Sequence, residues 1–315
     1  MAVQVWAVNA LGGFAATSTL SRKVYRAAQQ EVALDQFSLP VLDYGKKKGD
    51  TVLYDRRLNV DDAGGTLSET NKMIETNTTF AQGSVVVGEL GNSIRYSGKL
   101  ETLATIGVVD ELEEALKDDM VKTLDLQVRT VVRSTDIKIK YSMTGTAASP
   151  TSNFDTDGTQ TTVFARHAQT FDIKEIADYL RGTLYAPHYE DKSYVCVCSV
   201  GFHRAIFDSA EFQDAAIRNQ GAQRIWNGEV MNFYGVRFVI ETNSFSNTMT
   251  AFRGEAVIFG KEPWVRAVAL SPEIRVKLSE DYGRDKGIAW YAIQAHNEVW
   301  DTATASQAKV VHITG

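Results

Sequence analysis

The residues that could do chemistry are scattered along this chain rather than grouped. Its histidines are His167, His188, His203, His296 and His312, and they include neither an HExxH motif nor a pair four residues apart. The sequence offers no set of cysteines for zinc, no GxSxG nucleophile elbow and no glycine loop that ends in Gly-Lys-Ser/Thr. These residue types and spacings therefore predict no enzyme, no metal site and no cofactor.

Two short motifs that suggest chemistry have simpler explanations. Ser306 and Lys309 match the SxxK pattern of a serine nucleophile, but they lie near the C-terminus without the companion motifs. The fragment Asp155–Gly158 looks like the start of a calcium loop, yet Arg166 occupies the place of the closing glutamate. We interpret the first as a chance match and the second as a turn.

The composition places limits on the class of protein. A net charge of −6 excludes a basic protein that coats nucleic acid by releasing counterions. No window is apolar over the length that a bilayer requires, and the first residues lack the basic region of a signal peptide. Cys196 and Cys198 lie two apart in an apolar strand, which favours free thiols in a reducing cytoplasm.

The segment 108–133 has the strongest pattern in the sequence. Acids crowd its start and bases its end, which suits the helix macrodipole, and neither proline nor glycine interrupts it. A helix of this length spans roughly 35–40 Å. Apolar residues recur in steps of three and four, and so share one stripe: Val109, Leu112, Leu116, Met120, Leu124, Val128 and Val131.

The region 45–99 has a different character. Strand patterns at Thr51–Tyr54, Ser84–Val87 and Ser93–Ser97 flank about thirty polar residues that have no helical period. Such a segment cannot bury enough apolar surface to hold itself together. It is either flexible or an extended β-hairpin whose missing partner is another molecule, and the residues alone leave both alternatives open.

Shorter elements are predicted on either side. A helix is expected at 20–37, a strand at 137–141 and a second helix at 172–181, which Asp172 caps and Gly182 ends. From residue 194 the pattern is α/β, with strands at 194–200, 236–242 and 255–260 and a helix from 202 to about 218. Two final strands are expected at 288–293 and 310–313.

The order of these parts resembles the major capsid protein of tailed bacteriophages, the Hong Kong ninety-seven fold, in its podovirus "gene product fifty-six" branch. At the hairpin tip, where that family often has a Glu-Gly-Pro-like turn, the sequence has Leu67–Thr70, and Glu69 matches the acid. The motifs that carry the resemblance are collinear: Gly49–Val52 with Arg56 and Arg57, Leu90–Ser97, Asn227–Val230, Tyr234–Thr242, Gly254–Gly260, Asp281–Arg284 and Ile288–Tyr291.

The resemblance implies an α+β capsid fold with an E-loop β-hairpin, a spine helix, a P-domain sheet and an α/β A-domain. The implied divisions are an N-arm at 1–44, an E-loop at 45–99, a P-domain at 100–187 that includes the spine helix 108–133, an A-domain at 188–287 and P-domain C-terminal strands at 288–315.

The resemblance also implies a function. The chain would self-assemble as hexamers and pentamers of an icosahedral shell around double-stranded DNA, which it encloses without reading its sequence. Assembly would take place in the host bacterial cytoplasm, without a membrane, and portal and decoration proteins are possible partners. One alternative is an encapsulin-like compartment of the same fold, and a more distant one is an enzyme built on the α/β lobe.

Contacts between subunits are expected at the hairpin and at the start of the spine helix. Arg56 and Arg57 point to opposite faces of a strand, so only one of them can face a neighbouring helix. The alternative is that both are solvated charges that contribute less than about 1 kcal/mol each. The residues expected at this interface are Arg56, Arg57, Glu69, Glu111, Glu114 and Asp118.

Overall fold

The computed structural model describes residues 29, 32–43, 48–58, 65–67, 69, 73, 75, 78–104, 106–146, 149–155, 168–189, 192–211, 232–245, 254–300 and 309–314. Its helices are α1 (Gly98–Leu103), α2 (Val108–Ser134), α3 (Thr170–Gly182) and α4 (Val200–Phe207). Its strands are β1 (Ser38–Asp43), β2 (Thr51–Arg57), β3 (Phe80–Val86), β4 (Gly88–Ser97), β5 (Lys138–Thr146), β6 (Ser149–Asp155), β7 (Tyr194–Cys198), β8 (Asn232–Phe233), β9 (Val236–Ile240), β10 (Glu255–Phe259), β11 (Trp264–Val276), β12 (Asp285–Glu298) and β13 (Val310–Thr314).

Helix α2 confirms the long helix predicted at 108–133 and extends it by one residue. Its first turn carries Asp110 and Glu111 and its last turn carries Arg133. Acidic side chains therefore lie at the positive end of the helix macrodipole and a basic one at its negative end, which stabilises the helix. The apolar stripe is the buried face: Leu116 and Val128 are almost fully excluded from solvent. Burying such a stripe, rather than helix propensity, provides most of the stability of a helix in a folded protein.

Four described strands form a sheet in the order β1-β11-β12-β4, and the N-terminal half of α2 packs on one of its faces. The contact is made by Leu116 of α2 with Ile288, Trp290 and Ala292 of β12. The indole Nε1 of Trp290 donates a hydrogen bond of 2.8 Å to Oδ2 of Asp119, which orients the helix across the sheet.

Seven described strands form a second sheet in the order β6-β5-β13-β10-β7-β9-β8. Helices α3 and α4 share a core with one face of this sheet, where Ile176 and Phe202 are fully buried. The C-terminal half of α2 packs on the opposite face, through Val128 and Val132. One helix therefore joins the two sheets, which explains why it is the longest helix described.

The two cysteines occupy the buried positions that the sequence predicted. Cys196 and Cys198 are both free thiols on β7 and point into the same core. Burial raises the pKa of the Cys196 thiol well above its ordinary value, with a further contribution from Cys198. A neutral buried thiol is unreactive, so these residues fill space rather than carry chemistry.

Three local predictions need correction. The second helix begins at Thr170, because Gln169 is its N-cap and Asp172 accepts the N–H of Gln169 at 2.9 Å from the third position of a capping box. Helix α4 ends at Phe207, well before 218, and residues 212–231 lie outside the described part. Within 20–37, the described end is a 3-10 turn at Asp35–Phe37 rather than an α-helix.

Each sheet combines strands from different predicted divisions of the chain. Strand β13, expected among P-domain strands, lies between β10 and β5 in the seven-stranded sheet. Strand β11, expected in the A-domain range 188–287, pairs with β12 in the four-stranded sheet. The reason is that an apolar strand pattern reports burial but not which distant strand becomes the hydrogen-bonding partner.

A buried ion cluster ties α2 to the seven-stranded sheet. The guanidinium of Arg133 donates to both carboxylate oxygens of Glu255, at 2.6 and 2.5 Å, and His312 Nε2 lies 2.8 Å from Glu255 Oε1. Burial raises the pKa of Glu255, but hydrogen bonds from His312 and Arg133 outweigh it and lower the pKa to about 2. The ionised carboxylate is therefore part of the folded state.

This cluster predicts a specific acid sensitivity. The pKa of Glu255 falls from 4.5 to about 2 on folding, so its stabilisation is complete above pH 4.5 and lost as the pH falls through about 2. Glu255→Gln is expected to lower the free energy of unfolding at pH 7 by about 2–4 kcal/mol and to flatten its decline in acid. Urea unfolding of the subunit at pH 7, 4 and 3 measures both, with exposed Glu273→Gln as the control. An unchanged acid dependence in Glu255→Gln would contradict this assignment.

Candidate assembly surfaces

Strands β2 and β3 form an antiparallel hairpin in which Thr51 pairs with Val86 and Arg57 with Phe80. Its inner face packs on the chain's own four-stranded sheet, where Val52 and Val85 are buried against Val265 and Ala267. Of the two alternatives for 45–99, the structure thus has a paired hairpin at the base. Strand β4, which contains the predicted returning arm Leu90–Ser97, pairs with β12 instead of joining this hairpin.

The inner face of the hairpin is also fixed by polar contacts with the end of β12. The Tyr54 hydroxyl donates to the carbonyl of Glu298 at 2.7 Å. A Cβ at Gly83 would lie 2.4 Å from the Tyr54 ring, so only glycine allows this ring position. Arg56 donates to the carbonyl of Val299 at 3.0 Å.

The outer face of the same hairpin carries three large, exposed apolar side chains among polar ones. Leu53, Phe80 and Val86 are 58 %, 66 % and 62 % exposed. Between them, Gln82 donates a hydrogen bond of 3.2 Å to Asp55. Large apolar side chains exposed on one face of a two-stranded ribbon are typical of a surface that another protein covers. The sequence alone did not indicate this exposed set, although both strands carry apolar residues on alternate faces.

The alternation predicted for the two arginines is confirmed. Arg56 lies on the inner face, half-buried, with its guanidinium 5.6 Å from the ring centroid of Trp300 in addition to the Val299 contact. Arg57 lies on the outer face and is exposed, directly opposite Phe80. Of the pair, Arg57 is therefore the residue whose position suits a contact with another molecule.

The acidic residues singled out on α2 share a stripe of the helix, because Glu111, Glu114 and Asp118 follow one another at steps of three and four. Asp118 is exposed, and the other two are partly buried. Helix α2 packs against Ala292 of β12, whereas the hairpin packs against Ala295. Residues an odd number apart in a strand point to opposite faces, so the sheet separates these acids from the hairpin within one chain.

The tip of the hairpin is described at only a few positions. Glu69 is exposed, as are Leu67 and Met73, and residues 59–64 lie outside the described part. Leu67 is 56 % exposed and Met73 66 %, so this segment also presents large apolar side chains to solvent.

A second exposed apolar group lies where β11 turns into β12. Leu278 is 88 % exposed and Tyr282 fully exposed. Asp281 and Tyr282 have φ values of 48° and 54°, in the left-handed region that non-glycine residues rarely adopt. Lys277 fixes the turn by ion pairs with Glu280 at 2.8 Å and Asp285 at 2.5 Å. Nothing in the local sequence pattern indicated this surface.

The described residues contain no group of three or more His, Cys, Asp or Glu side chains arranged to hold a metal ion. No described helix has the length and apolar character that crossing a membrane requires.

No protein-family model and no curated protein matches this sequence. Solved structures do match, over almost the whole length. The capsid of Ralstonia phage GP4 is 15 % identical, with a TM-score of 0.66 over 98 % of this chain and 97 % of that chain. The capsid of cyanophage Pam1 is 13 % identical, with a TM-score of 0.66 over 94 % and 96 %.

A third match is the capsid of cyanophage P-SCSP1u, which is 11 % identical, with a TM-score of 0.66 over 95 % of this chain and 92 % of that chain. Because these identities are low, the matches show the fold through the three-dimensional arrangement of the chain rather than through shared residues. With its hairpin, its long helix and two sheets joined by that helix, the chain accordingly has the fold of tailed-phage capsid proteins, as the sequence resemblance predicted.

Proposed function

We propose that this chain is the major capsid protein of a tailed bacteriophage. Copies assemble as hexamers and pentamers into an icosahedral shell that encloses double-stranded DNA. The protein is a structural component of the virion, and assembly takes place in the host bacterial cytoplasm. Portal and decoration proteins would be its partners in the shell. The observation that carries the proposal is the exposure of Leu53, Phe80 and Val86 on the outer face of the β2–β3 hairpin, in a chain with a capsid fold.

The hairpin supports this proposal because the described residues of its own chain pack only on its inner face. A two-stranded ribbon is marginally stable in water, and the sheet beneath β2 and β3 stabilises only the inner side. Burying the exposed part of Leu53, Phe80 and Val86 against a second copy would gain roughly 1–2 kcal/mol for each side chain. Repeated on every subunit, that contact favours a closed assembly over the isolated chain.

The parts of the fold receive capsid names under this proposal. Residues 1–44 are the N-arm, 45–99 the E-loop and α2 the spine helix. We assign the four-stranded sheet to the P-domain, which adds β1, β4 and β11 to it, and the seven-stranded sheet to the A-domain, which takes β5, β6 and β13 from the predicted P-domain. The net charge of −6 suits a container that encloses DNA without binding it tightly.

Electron microscopy of the purified, concentrated protein tests the proposal. Closed icosahedral particles are the expected result, and particles isolated from infected cells should contain nuclease-protected double-stranded DNA. Shells filled with a protein cargo instead of DNA would favour the encapsulin-like alternative. A stable small species at every concentration would contradict a shell protein of either kind.

The outer-face arginine predicts a salt-dependent effect on assembly. We propose that Arg57 forms an ion pair with Glu111, Glu114 or Asp118 of a neighbouring subunit. Glu69, in the same segment 45–99, would contact that neighbour as well. Arg57→Ala should lower the yield of shells about threefold in low salt, the equivalent of ~0.5–1 kcal/mol for an exposed pair. In 1 M salt, where the Debye length is about 3 Å, the difference should vanish.

Two other arginines provide the comparison. Arg56→Ala removes contacts within the chain, so its effect on yield should persist in high salt. Exposed Arg204 on α4, on the other sheet, provides a charge-matched control as Arg204→Ala. Equal yields for Arg57→Ala and the unmodified chain at every salt concentration would show that Arg57 is only a solvated charge.

A further inference from the structure

The N-terminal segment is attached to α2 at one buried carboxylate. Asp125, which is 1 % exposed, accepts the backbone N–H groups of Leu34 at 2.7 Å and Asp35 at 3.2 Å through Oδ1. Its other oxygen, Oδ2, accepts the Ser244 hydroxyl at 2.5 Å and the Asn243 side-chain amide at 3.3 Å. Four donors therefore surround this carboxyl group, two on each oxygen.

A second carboxyl group faces the first with far fewer donors. Glu241 follows β9 and is 0 % exposed. Its Oε1 accepts the backbone N–H of Ser244 at 2.5 Å, and among the described residues its buried Oε2 has no hydrogen-bond partner. An ionised carboxylate at this position would leave a buried charge almost unsolvated, which costs several kcal/mol. A protonated Glu241 removes that cost and supplies an O–H that Asp125 can accept.

We propose that Asp125 and Glu241 share one proton, carried on Glu241, and that losing it releases the N-terminal segment at Leu34 and Asp35 from helix α2. This device is a property of the isolated subunit and does not depend on the proposed capsid function. Burial raises the pKa of Glu241 to about 8, and Asp125 contributes in the same direction through a hydrogen bond and its charge. The attachment therefore weakens as the pH rises from 4.5, the pKa of an exposed glutamate, to about 8.

The remaining charges around the pair are already engaged. From α2, Arg129 donates to the carbonyl of Ser244 at 2.9 Å, and Lys122 binds the side chain of Gln29. From the N-terminal side, Asp35 is held by His296 of β12 at 3.0 Å and Arg266 of β11 at 3.1 Å. None of these four described side chains donates a hydrogen bond to Glu241, so an ionised Glu241 would not be paired with any of them.

The loop 241–245 couples the proton to the attachment. Ser244 and Asn243 donate to Asp125, and Ser244 also donates to Glu241, so one short loop holds both carboxyl groups. Separation of two buried carboxylates requires this loop to move outward. That movement removes two of the four donors of Asp125 and opens the site where Leu34 and Asp35 are bound.

Hydrogen exchange of the full-length subunit tests the switch. The amides of Leu34, Asp35 and Ser244 are followed between pH 6 and pH 9, with rates corrected for the chemical exchange rate at each pH. The pKa of Glu241 is 4.5 when exposed and about 8 when folded. Linkage therefore predicts that the corrected protection falls about tenfold per pH unit up to about pH 8 and then levels off.

Glu241→Gln is the decisive variant, because its amide donates to Asp125 at every pH. Its corrected protection at these three positions should be independent of pH, whereas exposed Glu273→Gln should behave like the unmodified chain. A flat profile in the unmodified chain, or the same slope in Glu241→Gln, would overturn the proposal.

Discussion

Leu116→Asp is expected to leave the chain unable to fold. Leu116 is 1 % exposed and packs in the core between α2 and β12. The substitution removes a buried leucine, which costs about 2–5 kcal/mol, and places an unpaired carboxylate where several further kcal/mol are lost. The sum approaches or exceeds the ~5–15 kcal/mol stability of a typical domain. Circular dichroism of the soluble fraction should show no native spectrum.

The same helix provides the controls. Val121 is 42 % exposed, so Val121→Asp changes charge and size without entering the core and should fold normally. Leu116→Ala should give a folded chain that unfolds at lower urea concentration, because it creates a cavity but no buried charge. A soluble Leu116→Asp subunit with native circular dichroism would mean that the buried stripe of α2 does not carry the core.

Leu53→Asp should produce a folded subunit that does not assemble. The side chain is 58 % exposed in the isolated chain, so the substitution leaves the core intact. In a shell the new carboxylate would be buried against a neighbour, at a cost of several kcal/mol per contact. Since every 1.4 kcal/mol is a factor of ten in an equilibrium constant, the concentration needed for assembly should rise more than about 100-fold.

Light scattering across a concentration series, with electron microscopy of each sample, measures this threshold. Leu103→Asp is the matched control, because Leu103 is an exposed leucine (47 %) outside the hairpin. Circular dichroism of both variants shows whether they remain folded. Shells of Leu53→Asp at the concentration that suffices for the unmodified chain would rule out the outer face as a contact between copies.

Much of the fold could be predicted because its signals are local. The stripe from Val109 to Val131 predicted helix α2 to within one residue, since side chains three and four apart must share a face. The apolar strand pattern around Cys196 and Cys198 predicted that both side chains are buried and that both thiols are free. Alternation likewise predicted that Arg56 and Arg57 separate to opposite faces of β2.

Other features depend on contacts between segments far apart in the chain. Only the tertiary structure decides that β13 joins β10, that the hairpin covers Val265 with one face, and that Leu34 reaches Asp125 across ninety-one residues. Local periodicity determines which side of an element is buried, because that depends on neighbouring side chains alone. Which surface buries it depends on the packing of the whole chain, and no short segment carries that information.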